Sequence, residues 1–281
     1  MKEAEDSYSI DELCGLFDLS LSTFYYQTKH SSCCIASQKI VAEIQVIAEE
    51  VDQTYGKRRM KIELEKRGFS IGIYKTASHM KKASVIAINP VKRHYYPDAG
   101  TVHKKAPNIL KREFNPGTLN THWVGDITYI RSHQGWSYLA CVLDLGSKEI
   151  VGWAMSQQPN AELAKNALTD AIKKQQPDTT KLLYHSDQGV QYTAQLFTDY
   201  LQILKIIQSM SRRGNCWDNA VMERFFRSLK TEKLNRVSFM NHQSVVATVE
   251  SYIRFYNYKR LHSAIGNITP AERNLEIRNA A

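Results

Sequence analysis

Cysteine is scarce and unpatterned in this chain. The five residues Cys14, Cys33, Cys34, Cys141 and Cys216 contain no C-x-x-C pair. No His pair accompanies them at zinc spacing, so neither a zinc ribbon nor a disulfide framework is expected, and they read as reduced thiols of a cytosolic protein. No apolar run approaches the roughly 18 residues of a membrane-spanning helix. The acidic, polar N-terminus lacks the basic and apolar regions of a signal peptide. Positive charge is also missing where the chain begins: residues 1–52 hold three Lys/Arg against ten Asp/Glu, a net of −7. Acid is missing in the next stretch, where residues 53–115 hold fifteen against four, a net of +11. Residues 116–281 return to near balance at +5, for +9 overall. Positive charge concentrated in one middle segment suits an anionic partner such as nucleic acid; a solvated basic linker is the plainer reading.

What is present suits two or three domains: 281 residues, 43% hydrophobic and 10% aromatic, enough to bury a core. Residues 9–28 read as a short helix pair, with Ser9 and Glu12 as a capping box and a break at Asp18-Leu19-Ser20. Residues 37–51 carry Ile40, Val41, Ile44, Ile47 and Ala48 at helical period. Lys57–Arg67 reads as another helix. A short turn at Gly68-Phe69 follows, and Ser70 is a candidate cap for a further helix to about Lys82. Two basic helices joined by a three- or four-residue turn fit a helix-turn-helix, although small helical bundles share the pattern. Its candidate DNA contacts are Lys57, Arg58, Arg59, Lys75, Lys81 and Lys82. The division expected is an N-terminal helical region at 1–52, the helix-turn-helix at 53–83, a Pro-punctuated basic linker at 84–121, and a core with C-terminal helices at 122–281.

From Trp123 the pattern becomes α/β. Strand candidates are 123–130, 137–144, 149–156, 181–185 and 206–210. The first three are joined by short turns and should form an antiparallel meander. Helices are expected at 160–175, 193–204, 218–233 and 243–258. Three meander strands followed by strands alternating with helices is the order of a ribonuclease-H-like fold, a mixed five-stranded sheet with helices.

Three carboxylates stand out: Asp126 in WVGDITYI, Asp187 in YHSDQG and Glu223 in CWDNAVMERFFRSLK. Carboxylates converging from separate elements can hold two divalent cations, which clamp the attacking and leaving oxygens of a phosphoryl displacement. On the third segment Asp218 reads as the N-cap of the helix. Val221, Met222, Phe225, Phe226 and Leu229 make its apolar face, and Asn219, Glu223, Arg227 and Lys230 share the other. That polar face reads either as a metal ligand flanked by phosphate contacts or as a solvated surface with an i, i+4 Glu–Arg pair. The polar segment 211–217, with Arg212 and Arg213, reads as a mobile loop bordering a DNA-bearing site or as a plain connection. Asp144 reads as a turn residue and His185 as a structural neighbour of Asp187. His262 is left open between pairing with Tyr256 and touching DNA.

The strings YGKRRMKIELEKRG, APNILKREF, WVGDITYI, LDLGSKEIVGW, HSDQGVQYT, QSMSRRGNCWDNAVMERFFRSLKTE and YNYKRLHSAIGNITPAERN run in order over about residues 53–275. With them the chain resembles the second-frame (OrfB-type) product of bacterial insertion-sequence transposases, which carry a retroviral-integrase-like core. The spacing from Asp187 to Glu223, and Lys230 seven positions beyond, match that family. The resemblance implies Asp126, Asp187 and Glu223 as a metal-binding catalytic triad and Lys230 as a contact to phosphate near the scissile bond. It implies two Mg²⁺ per site, with Mn²⁺ as substitute, and double-stranded DNA as partner, both terminal inverted repeats and target. It further implies a homo-oligomer on DNA, an upstream-frame product of the same element as a candidate partner, and a cytoplasmic, nucleoid-associated location with no membrane. The residues depart from the family at Lys205, usually Gly there, and at Val190, often Ser. Two other readings of the same residues are a ribonuclease-H-like nuclease that cuts without joining and a catalytically silent DNA-binding repressor.

Overall fold

The structure, a computed structural model, describes residues 9–88, 106–212 and 216–280, with the side chains of all these except 27–34 and 216. It divides into two compact units, Met1–Ala87 and Ile88–Ala281. Among the described residues no helix is long and apolar enough to cross a membrane, and Cys14 and Cys141 are free thiols.

In the first unit, α1 (Ile10–Leu16) starts at the expected capping box: Ser9 accepts from the Glu12 amide and Glu12 accepts from the Ser9 amide. The next helix corrects the sequence reading. Instead of a short helix ending near 28 and a separate one from 37, α2 runs unbroken over Leu21–Glu50. That stretch holds no Gly or Pro, and a helix once nucleated propagates at little cost per residue. Its Ile44, Ile47 and Ala48 are buried, as are Met60 and Leu64 of α3 (Lys57–Lys66) and Thr76 and Met80 of α4 (Ile73–Lys82). Arg67 ties the group together, reaching Glu43 at 2.6 Å, Glu50 at 2.6 Å and Glu63 at 3.7 Å. The α3–α4 connection spans Arg67–Gly72, longer than expected, and Gly72 rather than Ser70 caps α4, without a side-chain bond. Ile71 turns inward (6% exposed), so the residues after Ser70 anchor the turn instead of opening a helix.

The second unit is built on one sheet. Its strands are β1 (His122–Ser132), β2 (Gly135–Asp144), β3 (Ile150–Ser156), β4 (Leu183–Ser186) and β5 (Ile207–Met210), each within two residues of the sequence expectation. Their spatial order is β3-β2-β1-β4-β5. The first three pair antiparallel, and β1–β4 and β4–β5 pair parallel. This is the mixed five-stranded ribonuclease-H-like sheet that the pattern predicts. The helices are α5 (Ala161–Gln175), α6 (Val190–Thr193), α7 (Gln195–Ile203), α8 (Ala220–Glu232), α9 (His242–Tyr258) and α10 (Pro270–Ala280). The last has no counterpart in the pattern because its apolar residues follow no one-sided period.

Strand alternation divides the core into two layers. Val124, Ile130, Leu139, Cys141 and Leu143 pack with Met222, Phe225 and Leu229 of α8 and with Val245, Val249 and Tyr252 of α9. Trp123, Ala140, Val142 and Tyr184 pack on the other side with Leu163, Ala167 and Leu168 of α5 and Phe197 and Leu201 of α7.

Lys205, the departure from the family's usual Gly, follows α7 with φ +57°. There the left-handed backbone lets its amide bond back to the Gln202 carbonyl at 3.0 Å. A side chain in that region carries a steric cost that glycine lacks. Lys205→Gly is therefore expected to stabilise the chain by about 1 kcal/mol, read as a raised urea midpoint with unchanged slope.

Candidate active site

The parallel register of β1 with β4 sets Val124 against His185. Continued by two residues, it brings Asp126, within β1, alongside Asp187, the first residue after β4. Both positions share strand parity with residues that pack against α8: Val124 with Asp126, Leu183 with Asp187. Helix α8 lies on that side of the sheet, held by Met222, Phe225 and Leu229, and carries Glu223. The two aspartates are half-buried and Glu223 is exposed.

Burial first, then the charges of Asp187 and Glu223, hold the Asp126 carboxyl well above the usual carboxylate range, while the Ile127 amide and Lys230 act the other way. Partial burial of its carboxyl also raises Glu223, although the residue as a whole is exposed, against the opposing charge of Arg227 one turn along α8. Asp126 accepts from the Ile127 amide at 2.8 Å, and Asp187 accepts from the Gly189 amide at 3.0 Å. Lys230, two turns beyond Glu223, lies 4.8 Å above the Tyr129 ring.

Beneath the aspartates the packing is tight. A Cβ on Gly125 would fall 1.8 Å from the Tyr184 hydroxyl, so the residue before Asp126 must be glycine for the buried ring to fit. Tyr184, Tyr192 and Phe197 form one aromatic group there.

The donor set is all oxygen, which fits a hard divalent cation such as Mg²⁺ or Mn²⁺. Among the described residues no three His, Cys, Asp or Glu side chains stand close enough to hold one ion between them. The aspartate pair is the adjacent part of the set, and Glu223 stands apart from it on the exposed side of α8.

Residues 118–216 and 204–270 match models of the integrase core domain. The chain is 36% identical over 264 residues to an uncharacterized 31 kDa protein of insertion element IS600 from Shigella sonnei, covering 92% of this chain and 96% of that one. It is 30% identical over 280 residues to the transposase InsF of insertion sequence IS3A from Escherichia coli K12, covering 97% and 96%. The chain belongs to the bacterial insertion-sequence transposases with an integrase-type core. A solved catalytic core of BIV integrase is also similar, at 21% identity and a TM-score of 0.44 over 57% of this chain and 97% of that one.

In this transposase several residues differ in place from the sequence reading. Asp218 is not the cap of α8. It lies in a 3-10 turn, Cys216–Asn219, ahead of the helix, and Asn219 occupies the cap position without a side-chain bond. The tighter turn rotates Asn219 off the exposed face. It is buried, with Oδ1 lacking a partner among the described residues, and so makes no surface contact to DNA as it stands. Arg227 is exposed. Arg213 falls outside the described residues, as do 214 and 215 of the expected loop. Arg212 is turned to Asp218.

Asp218 is instead a buried hub. It accepts from Arg112 Nε at 2.7 Å, Arg212 Nε at 3.1 Å, the Arg212 amide at 3.1 Å and Asn108 Nδ2 at 2.9 Å. These bonds join the segment before β1 to the approach to α8. The signal for them lay in the string APNILKREF, whose Asn108 and Arg112 no local pattern pairs with a residue a hundred positions on. At the other end of α8, Arg260 reaches both carboxylate oxygens of Glu232 at 2.8 and 2.6 Å, and the Tyr252 hydroxyl donates to Glu232 at 2.7 Å.

The remaining expectations resolve structurally. Asp144 accepts from the Asn120 amide at 2.7 Å, Trp123 Nε1 at 3.2 Å and the Ser147 amide at 2.9 Å, which makes it a turn residue. His185 is buried and bridges Ser209 at 2.8 Å and Ser211 at 3.2 Å, with burial lowering its pKa to about 4. His262 meets the Tyr256 ring edge-on at 6.1 Å.

The Arg212 and Arg112 bonds hold the Asp218 carboxyl far below its ordinary value of 3.8. A lowered carboxyl pKa stabilises the fold above the unfolded-state value and loses that contribution as pH falls through the folded one. Asp218→Asn is expected to cost about 2 kcal/mol at neutral pH. In urea titrations the gap from wild type should close progressively below about pH 4.

Proposed function

We propose that this transposase cleaves and joins DNA at the ends of its insertion sequence by divalent-metal-dependent phosphoryl transfer, with Asp126, Asp187 and Glu223 as the catalytic, metal-holding carboxylates. The observation that carries the reading is the parallel β1–β4 register, which sets Asp126 alongside Asp187 on the side of the sheet where α8 carries Glu223 and Lys230. When bound, a pair of Mg²⁺ ions, or Mn²⁺ in their place, supplies Lewis-acid stabilisation to the attacking and leaving oxygens. The residues do the rest. Asp126 and Asp187, fixed by backbone amides, present oxygens from the neighbouring interior strands β1 and β4. Glu223 closes from α8. Lys230, which cannot ligate a cation, takes a phosphate oxygen next to them, and Arg227 offers a second cation on the same helix.

DNA selection falls to the other unit. Lys57, Arg58, Lys75, Lys81 and Lys82 are exposed on α3 and α4, and Arg59 stacks over Tyr55 at 5.7 Å. Together they suit a helix-turn-helix at 53–83 reading the terminal inverted repeats in the major groove. Joining two ends to one target calls for a homo-oligomer on DNA, with the upstream-frame product as a further candidate partner. The cytoplasm, where the nucleoid lies, is the place of action.

Strand-transfer assays on terminal-repeat duplexes test this. Asp126→Asn, Asp187→Asn and Glu223→Gln should each abolish cleavage and joining while leaving DNA affinity within about twofold, because phosphate attraction comes from the basic segment. Lys230→Ala should slow joining far more than it weakens binding, with Lys230→Arg recovering part of the loss. Wild-type joining by any triad variant sinks the assignment. If about six phosphates are neutralised, affinity should fall roughly 10³-fold between about 50 and 200 mM salt.

A further inference from the structure

Beyond Lys230 the β1–β2 hairpin carries a second feature that the carboxylate chemistry does not use. Tyr129 and Trp136 are 60% and 45% exposed. Their rings meet edge-to-face at 5.4 Å. Each carries a cation: Lys230 lies over Tyr129 at 4.8 Å and Arg131 over Trp136 at 5.6 Å. The four side chains line a cleft of about 310 Å³, whose floor is Leu234 and Phe239. A hydrophobic core does not need these rings, since Ile130 and Leu139 already fill it at this end. Two large aromatics held at the surface, alternating with two cations, form the composition that binds unpaired nucleotides: rings for base faces, cations for the phosphates between them.

We propose that this cleft holds an unpaired nucleotide of the DNA end, its base against Tyr129 and Trp136 and its phosphate between Lys230 and Arg131. The inference rests on the proposed reading of the carboxylate site and deepens it. Lys230 belongs to both places, so a strand with a phosphate at Lys230 has its neighbouring nucleotide at the cleft. The cleft volume is at the small end of ligand sites and suits one base with its sugar rather than a duplex. A fully paired end would have to lose a base pair to reach it, so the site favours ends that are frayed or already single-stranded.

The test uses the full chain without divalent metal, so that binding alone is read. Two DNAs are compared by fluorescence anisotropy: a blunt duplex, and the same duplex with a short thymine single-stranded end. Wild type should prefer the single-stranded end by roughly tenfold, the effect of one base–aromatic stack. Tyr129→Ala and Trp136→Ala should each erase the preference and leave blunt-duplex affinity unchanged, while Trp136→Phe keeps most of it. A fluorescent 2-aminopurine placed in the overhang should be quenched by wild type and by Trp136→Phe but not by Trp136→Ala. Rings that only brace the hairpin would alter thermal stability without moving the ratio of the two affinities. Equal binding of the two DNAs by wild type, or a preference that survives both alanine variants, overturns the proposal while leaving the carboxylate reading intact. Failure to bind either DNA overturns the DNA reading and this one with it.

Discussion

The parallel pairing of β1 with β4 is the constraint on which the second unit turns. It is a short pairing, set by His122 against Leu183 through Val124 against His185. Two residues further on it places one carboxylate beside another, an arrangement that electrostatics alone would oppose. Like charges at close range each disfavour ionisation of the other, and Asp126 carries that penalty together with the cost of burial. The sheet tolerates it because the strands are held elsewhere: by the long β1–β2 ladder, by Trp123 and Leu143 buried on opposite faces, and by Gly125, which yields the space that Tyr184 occupies.

Helix α8 must then be fixed against this strand pair, and it is fixed at both ends by ions rather than by its core face alone. The Asp218 hub precedes it and the Glu232–Arg260–Tyr252 group ends it. Buried charge pairs add little net stability over apolar packing, but breaking one leaves an uncompensated charge. Their effect is to define register. Between the two anchors Met222, Phe225 and Leu229 are buried against the sheet, and the helix they hold carries Glu223 and Lys230. Asn219, left with a buried oxygen lacking a partner among the described residues, marks where the tight turn at the start of the helix was favoured over local polar satisfaction.

Much of this was legible in the residues. Alternation and turn spacing located all five strands to within two residues, and the three carboxylates were evident from their local contexts and from the family resemblance. What escaped was what depends on distant partners or on absent punctuation. α2 read as two helices because its apolar positions fade in the middle, whereas backbone continuity needs only the lack of a breaker. Asp218 read as a cap because Asp at the head of a helix ordinarily is one, and nothing local announces arginines that lie far away in sequence or fold in from a preceding loop. α10 was invisible for the opposite reason, having no apolar period to detect. Lys205 shows the converse: a residue noted as a departure from the family's glycine sits in the backbone region where glycine belongs.

Charge is distributed unevenly along the chain, and the carboxylate site lies outside its most basic segment. A phosphate approaching Asp126, Asp187 and Glu223 meets three carboxylates, with Lys230 and Arg227 of α8 as cations acting on them. Burial strengthens every unscreened charge interaction, so this cluster repels a bare phosphodiester until its own charge is offset. Under the proposed reading, divalent cations lift that repulsion, and they are also the agents of the chemistry, so DNA engagement and competence to react arise together. Affinity has to come from elsewhere meanwhile, and residues 53–115, with a net charge of +11, are where the sequence concentrates it. Under the same reading the two tasks are divided: the basic segment supplies affinity for DNA, and the three carboxylates supply the chemistry once divalent cations are bound.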